Sequence, residues 1–126
     1  MAPARMAKIE SAVRIVLAFT QACNRHDLDG MLQLISQDCV IEDPEGRVYT
    51  GKPAIAQLWQ GLLREAPEIQ IEIEEIFGMG LRCILRWKYE QTDSGGQKKQ
   101  MRGVDIFQIR DGFICEKLSY RKKLPK

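Results

Sequence analysis

The chain has 126 residues, of which 44% are hydrophobic and 29% charged, and a formal net charge of +2. A chain of that length folds as one domain that buries roughly two thirds of its unfolded surface, and the composition is that of an ordinary globular protein. No apolar run approaches the roughly 18 residues of a membrane span. The charge-spaced start MAPARMAKIESAVRIVLAF is not a signal peptide, and no basic stripe interleaved with aromatics points to nucleic acid.

A cytoplasmic protein with neither a membrane nor a nucleic-acid partner is expected. Cys23, Cys39, Cys83 and Cys115 are far apart in the sequence and form no C-x-x-C pair. Reduced, buried thiols are the default for such a pattern. His26 is the only histidine, so no histidine cluster offers a metal site. Neither a metal nor an organic cofactor is implied.

Residues 1–7 are expected to be a disordered tail, 8–122 a single domain, and 123–126 a basic C-terminal tail. From Lys8 to Asn24, Ile9, Ala12, Val13, Val16, Leu17 and Phe19 recur near helical spacing. The turn Arg25-His26-Asp27 follows, with Asp27 a suitable N-cap for a short helix over 28–35. Residues 39–43 read as a strand, and Pro44-Glu45-Gly46 as a turn. Val48 and Tyr49 start a short return strand. Gly51-Lys52-Pro53 opens a third helix, with the proline suited to its first turn; it carries Ile55, Leu58, Trp59 and Leu62 on one side and breaks near Pro67.

The second half reads as strand after strand. Ile69, Ile71 and Ile73 alternate with polar residues, as do Leu81, Cys83, Leu85, Trp87 and Tyr89. Gly78-Met79-Gly80 reads as a turn, and Ser94-Gly95-Gly96 as a hairpin. Met101, Gly103, Asp105, Phe107 and Ile109 share one face of the next strand. Asp111-Gly112 turns into a last strand from Phe113 to Arg121. Tight turns between neighbouring strands favour an antiparallel meander. The expected fold class is α+β: a cone-shaped, curved, mostly antiparallel sheet wrapped around three helices from the N-terminal half.

This order of elements, with its HDLDG turn, EDP strand, GKPAI helix and four-strand meander, resembles the NTF2-like superfamily. Within it, the chain is most similar to the SnoaL-like and ketosteroid-isomerase-like branch. The resemblance runs from about Val13 to Tyr120 and implies a cone-shaped fold with a ligand pocket. It also implies site residues. The family's general base falls on Asp43 of the EDP strand, and its protonated oxyanion-hole aspartate on Asp105 of VDIF. The family's oxyanion-hole tyrosine falls on Phe19, and its supporting tyrosines on Ile35 and Trp59, so the phenol network does not carry over. The epoxide-hydrolase branch needs an arginine where Gly103 stands. The resemblance places His26 outside the pocket.

Each candidate also has a plainer reading. Asp43 precedes Pro44, and Asp-Pro is common turn chemistry. Asp105 could pair with a cation such as Lys117 or Arg102. Phe19, Trp59, Trp87 and Phe107 are candidate substrate-binding walls, yet aromatics at such spacing also build cores. Ile84, Val104, Ile106 and Ile114 are expected on the outer sheet face, where a second copy would cover them in a homodimer. Two functions remain open. One is acid/base isomerisation or cyclisation of a small apolar carbonyl ligand, with Asp43 as base and Asp105 as hydrogen-bond donor. The other is a non-catalytic ligand-binding or protein-interaction domain.

Overall fold

Three helices lead into one six-stranded sheet. The computed structural model describes residues 3–124, with side chains from residue 10 onward. Along the chain run α1 (Pro3–Asn24), α2 (Leu28–Gln33), β1 (Ile35–Glu42), β2 (Val48–Thr50), α3 (Lys52–Glu65), β3 (Glu72–Met79), β4 (Arg82–Thr92), β5 (Lys98–Arg110) and β6 (Phe113–Lys123). The strand order is β2-β1-β6-β5-β4-β3. Every neighbouring pair is antiparallel except β1 with β6.

The last four strands form the expected meander because each connection is a tight turn. The parallel β1–β6 contact joins the first strand to the last, and the helices cover one face of the sheet. Ala12, Val16 and Phe19 of α1, Met31 of α2, and Ile55 and Trp59 of α3 are buried. They meet Cys39 and Ile41 of β1, Cys83, Leu85 and Trp87 of β4, and Phe107 and Ile109 of β5. Two local signals act as the sequence suggests. The Asp27 carboxylate accepts from Gly30 N–H at 2.9 Å and caps α2, and Pro53 lies in the first turn of α3.

Several boundaries differ from the sequence reading. The helix α1 reaches back to Pro3, and α2 stops at Gln33. The strand β1 begins at Ile35 because Ile35 pairs with Ile114 and Ile114 N–H donates to Leu34 O at 2.9 Å. Gly78 and Met79 belong to β3, so the turn consists of Gly80 and Leu81, with Gly80 at φ 64°. Such a φ is easily adopted by glycine.

Ile114 corrects the expected outer face. Gln108 pairs with Glu116, but Ile109 pairs with Ile114, which leaves Cys115 as an extra residue. A bulge of this kind shifts the side-chain alternation by one. Ile114 therefore points into the core, at 1% exposure. A second bulge, in β3, leaves Glu74 unpaired between Ile73 and Glu75. Glu74 receives a two-pronged contact from Arg102, at 2.8 and 3.0 Å.

Candidate active site

The helix ends and the inner face of β6 border an open-sided cavity of about 300 Å³. Its apolar wall consists of Phe19, Met31, Trp59, Leu62, Ile69 and Ile71. Phe19 packs on Trp59 with ring centroids 5.2 Å apart, and on Phe107 at 5.9 Å. Two of the four sequence-predicted walls, Phe19 and Trp59, thus line the cavity. Phe107 and Trp87 lie behind it, at 0% and 6% exposure, and Trp87 stacks on the lining residue Tyr89 at 5.4 Å.

The rim is fixed by an amide. Asn24, at the end of α1, donates from Nδ2 to Ile71 O at 3.0 Å and accepts from Ile71 N–H at 2.7 Å. Its side chain acts as one rung of a β-ladder. It ties the α1 terminus to the segment leading into β3, so that Ile69 and Ile71 close one side of the cavity.

The polar floor comes from β6. Lys117 pairs with Phe107, Ser119 with Asp105, and Arg121 with Gly103 across the β5–β6 ladder. Strand alternation then puts Lys117, Ser119 and Arg121 on the inner face. Lys117 and Arg121 both line the cavity. Lys117 Nζ donates to Ser119 Oγ at 3.0 Å and lies 3.7 Å from Asp105 Oδ2. Asp105 is 7% exposed, and its Oδ1 has no hydrogen-bond partner among the described residues. Of the two cations that the sequence offered as partners, Asp105 takes Lys117, while Arg102 goes to Glu74 on the outer face.

Cys23 sits beside this pair. Burial pushes its thiol up to about 12, with the Lys117 charge pulling it down and the Asp105 charge pushing it up. The thiolate is the nucleophilic form, and burial favours the neutral thiol at Cys23. His26, expected outside the pocket, is part of its lining. The tight α1–α2 turn brings it in: His26 adopts φ 56°, and its N–H donates to Cys23 O at 3.0 Å. Its Nε2 is buried without a hydrogen-bond partner among the described residues.

Asp43 lies one residue beyond β1, in the β1–β2 hairpin, and is not among the lining residues. Its Oδ1 accepts from Glu45 N–H at 3.0 Å and from Arg47 N–H at 2.9 Å, and its Oδ2 is 3.9 Å from Arg47. The hairpin nevertheless reaches the cavity, because Arg121 donates to Glu45 Oε1 at 2.6 Å. Among the described residues, no three His, Cys, Asp or Glu side chains cluster as metal ligands. No described helix is long and apolar enough to cross a membrane. Lys117 is the functional candidate that the sequence reading did not place in the pocket. Its signal was strand parity: it sits two residues before Ser119, the cross-strand partner of Asp105.

The same fold is found in other proteins. The structure superposes on an NTF2-like protein of unknown function from Mesorhizobium loti with a TM-score of 0.77 and 30% identity, covering 91% of this chain and 93% of that one. A protein provisionally assigned as a polyketide cyclase, from Xanthomonas campestris, is similar at a TM-score of 0.74 and 25% identity, over 90% and 91% of the two chains. One provisionally assigned as a ketosteroid isomerase, from Kribbella flavida, shares the fold at a TM-score of 0.79 and 15% identity, over 94% and 82%. No curated protein matches the sequence significantly. The family model of the SnoaL-like domain matches residues 16–117, a span that runs from Val16 of α1 to the cavity lysine; the chain belongs to the SnoaL-like domain family and has the NTF2-like fold.

Proposed function

We propose that the cavity binds a small, largely apolar carbonyl compound, and that the Lys117–Asp105 pair moves a proton beside its carbonyl in an isomerisation or ring closure. One observation carries this reading: a buried carboxylate with an unpartnered oxygen is coupled to an apolar cavity through the lysine that lines it. A pair of that kind, kept from water, suits general acid/base work, because low dielectric strengthens its action on a bound carbonyl. The resemblance nominates Asp43 as the general base and Asp105 as the hydrogen-bond donor. Phe19 contributes an aromatic wall where isomerase relatives have a phenol.

The test is proton exchange. Apolar ketones are incubated with the protein in heavy water, and NMR follows loss of the α-proton. Turnover that falls by about 100-fold or more in Asp105→Asn supports the acid/base reading. Binding without exchange rejects it and leaves the second reading, a non-catalytic binding domain. That reading is favoured by the Asp43 carboxylate, whose Oδ1 is already engaged by two N–H groups of its own hairpin.

We also propose a homodimer through the outer sheet face. Phe77, Ile84, Ile106 and Leu118 are cross-strand neighbours in register, and Val104 pairs with Tyr120. Phe77 and Tyr120 are 45% and 52% exposed. A contiguous apolar row of this kind is typical of a covered surface.

A further inference from the structure

We infer that the ligand of this cavity is an apolar acid, whose anionic oxygen is held by Lys117 and Arg121. The inference rests on the small-molecule reading above and narrows it. Both cations come from one face of β6 and line the cavity, whereas their counter-charges do not: Asp105 stands behind Lys117, and Glu45 belongs to the hairpin outside Arg121. The bound molecule therefore meets nitrogen-borne donors first. Lys117 has three donors, of which Ser119 takes one. Arg121 has five, of which Glu45 takes one at 2.6 Å.

Carboxylates facing the cavity are scarce by comparison, although Gln91, Tyr89 and the unpartnered His26 Nε2 also belong to its lining. Glu65, the one carboxylate among the described lining residues, lies exposed at the end of α3. The Asn24 amide is spent on Ile71. A neutral ligand would leave the remaining donors of Lys117, whose side chain is 17% exposed, turned toward apolar surface, which is costly, whereas the exposed Arg121 keeps access to water. An anionic oxygen satisfies both through charge-assisted hydrogen bonds. The rest of the ligand is set by Phe19, Trp59, Leu62 and Ile71, which favour a flat hydrocarbon body. A volume of about 300 Å³ is at the low end for ligand sites, so the molecule is compact.

The experiment compares a naphthoate with the corresponding naphthamide, which share shape and differ in charge. Binding is followed by quenching of tryptophan emission, since Trp59 lines the cavity. Unaltered protein is expected to bind the naphthoate about tenfold or more tightly, the strength of one hydrogen bond to a charged group. Lys117→Met should lower the ratio of the two affinities severalfold, Lys117→Met with Arg121→Gln should bring it to within about twofold, and Lys117→Arg should keep most of the preference. The double variant Lys117→Met/Asp105→Leu gives the same readout if the single change unfolds the protein. Equal binding of the two probes by unaltered protein overturns the acid inference and leaves the small-molecule reading standing. If neither probe binds, both fall.

Discussion

Asp43 and Asp93 hold their hairpins with the same hydrogen bonds. Asp43 N–H donates to Arg47 O at 2.9 Å, and Gly46 N–H to Asp43 O at 2.9 Å. Asp43 Oδ1 then accepts from Glu45 and Arg47 N–H at 3.0 and 2.9 Å. In the β4–β5 hairpin, Asp93 N–H donates to Gln97 O at 2.8 Å, and Gly96 N–H to Asp93 O at 3.0 Å. Asp93 Oδ1 accepts from Gly95 and Gln97 N–H, both at 2.9 Å. Asp93 is thus an internal control for Asp43.

A turn role and a base role make different demands on Asp43. An amide oxygen can accept the same two N–H bonds, so Asp43→Asn should cost no more stability than Asp93→Asn. Replacement of either by alanine should cost about 1 kcal/mol. The contact with Arg47, whose side chain is 70% exposed, should add little. Urea denaturation of the four variants measures this. In the exchange assay, loss of turnover in Asp43→Asn without loss of stability would assign it the base role. Unchanged turnover would leave it the turn role.

The turn role was written in the sequence twice, as Asp-Pro-Glu-Gly and Asp-Ser-Gly-Gly, each between alternating strands. The meander was legible for the same reason: period-two alternation and turn residues are local signals. What could not be read were the two bulges. Neither Glu74 nor Cys115 announces itself as an extra residue, and one such residue moves everything beyond it to the other face. That is why Ile114 was expected outside and lies within. The cavity was half legible. Phe19 and Trp59 follow from helix periodicity, but His26 enters only through a backbone at positive φ, and Lys117 only once its register against Asp105 is known.

Gly103 leaves room for Trp87. An added Cβ would lie 2.3 Å from Trp87 Cζ2 and 2.5 Å from Tyr120 O. The second contact is with backbone, so rotation of the indole alone cannot relieve the clash. Gly103→Ala should therefore destabilise the protein by about 1–3 kcal/mol and shift the tryptophan emission. Denaturant unfolding at wild-type stability would show that the strands part without cost.

The outer face is tested by charge. Ile106 pairs with Ile84 on one side and Leu118 on the other, at the middle of the apolar row. If that row is an interface, Ile106→Glu buries an unpaired carboxylate there, which is strongly unfavourable. Sedimentation should give a dimer for the unaltered chain and a monomer for the variant at micromolar concentration. A monomer for both removes the proposed dimer.

The thiols set the alkaline limit. Burial pushes Cys23 and Cys39 up to about 12 and Cys83 up to about 11, from an ordinary 9.0. Above pH 9 the unfolded chain releases thiol protons that the folded chain keeps, so the folded state binds more protons and stability falls as pH rises. The loss should run from about pH 9 toward 12 and shrink when Cys23 and Cys39 are changed to alanine, as followed by melting temperature. At pH 8 a thiol reagent should modify the buried Cys39 and Cys83 only on unfolding.

Lys117 and Asp105 should also reveal themselves in stability. Their side chains are 17% and 10% exposed, so removing one partner leaves a charge in a largely dry site. Lys117→Met should cost about 3–5 kcal/mol, the usual penalty for breaking a buried pair from one side. Adding Asp105→Leu removes the stranded carboxylate and should restore most of that loss, because a buried ion pair is often no better than packed hydrocarbon. The double-mutant cycle then yields a coupling well above the ~0.5 kcal/mol of independent sites. Additive single effects would mean that the lysine and the aspartate act separately, and the proton-moving pair proposed for the cavity would lose its basis.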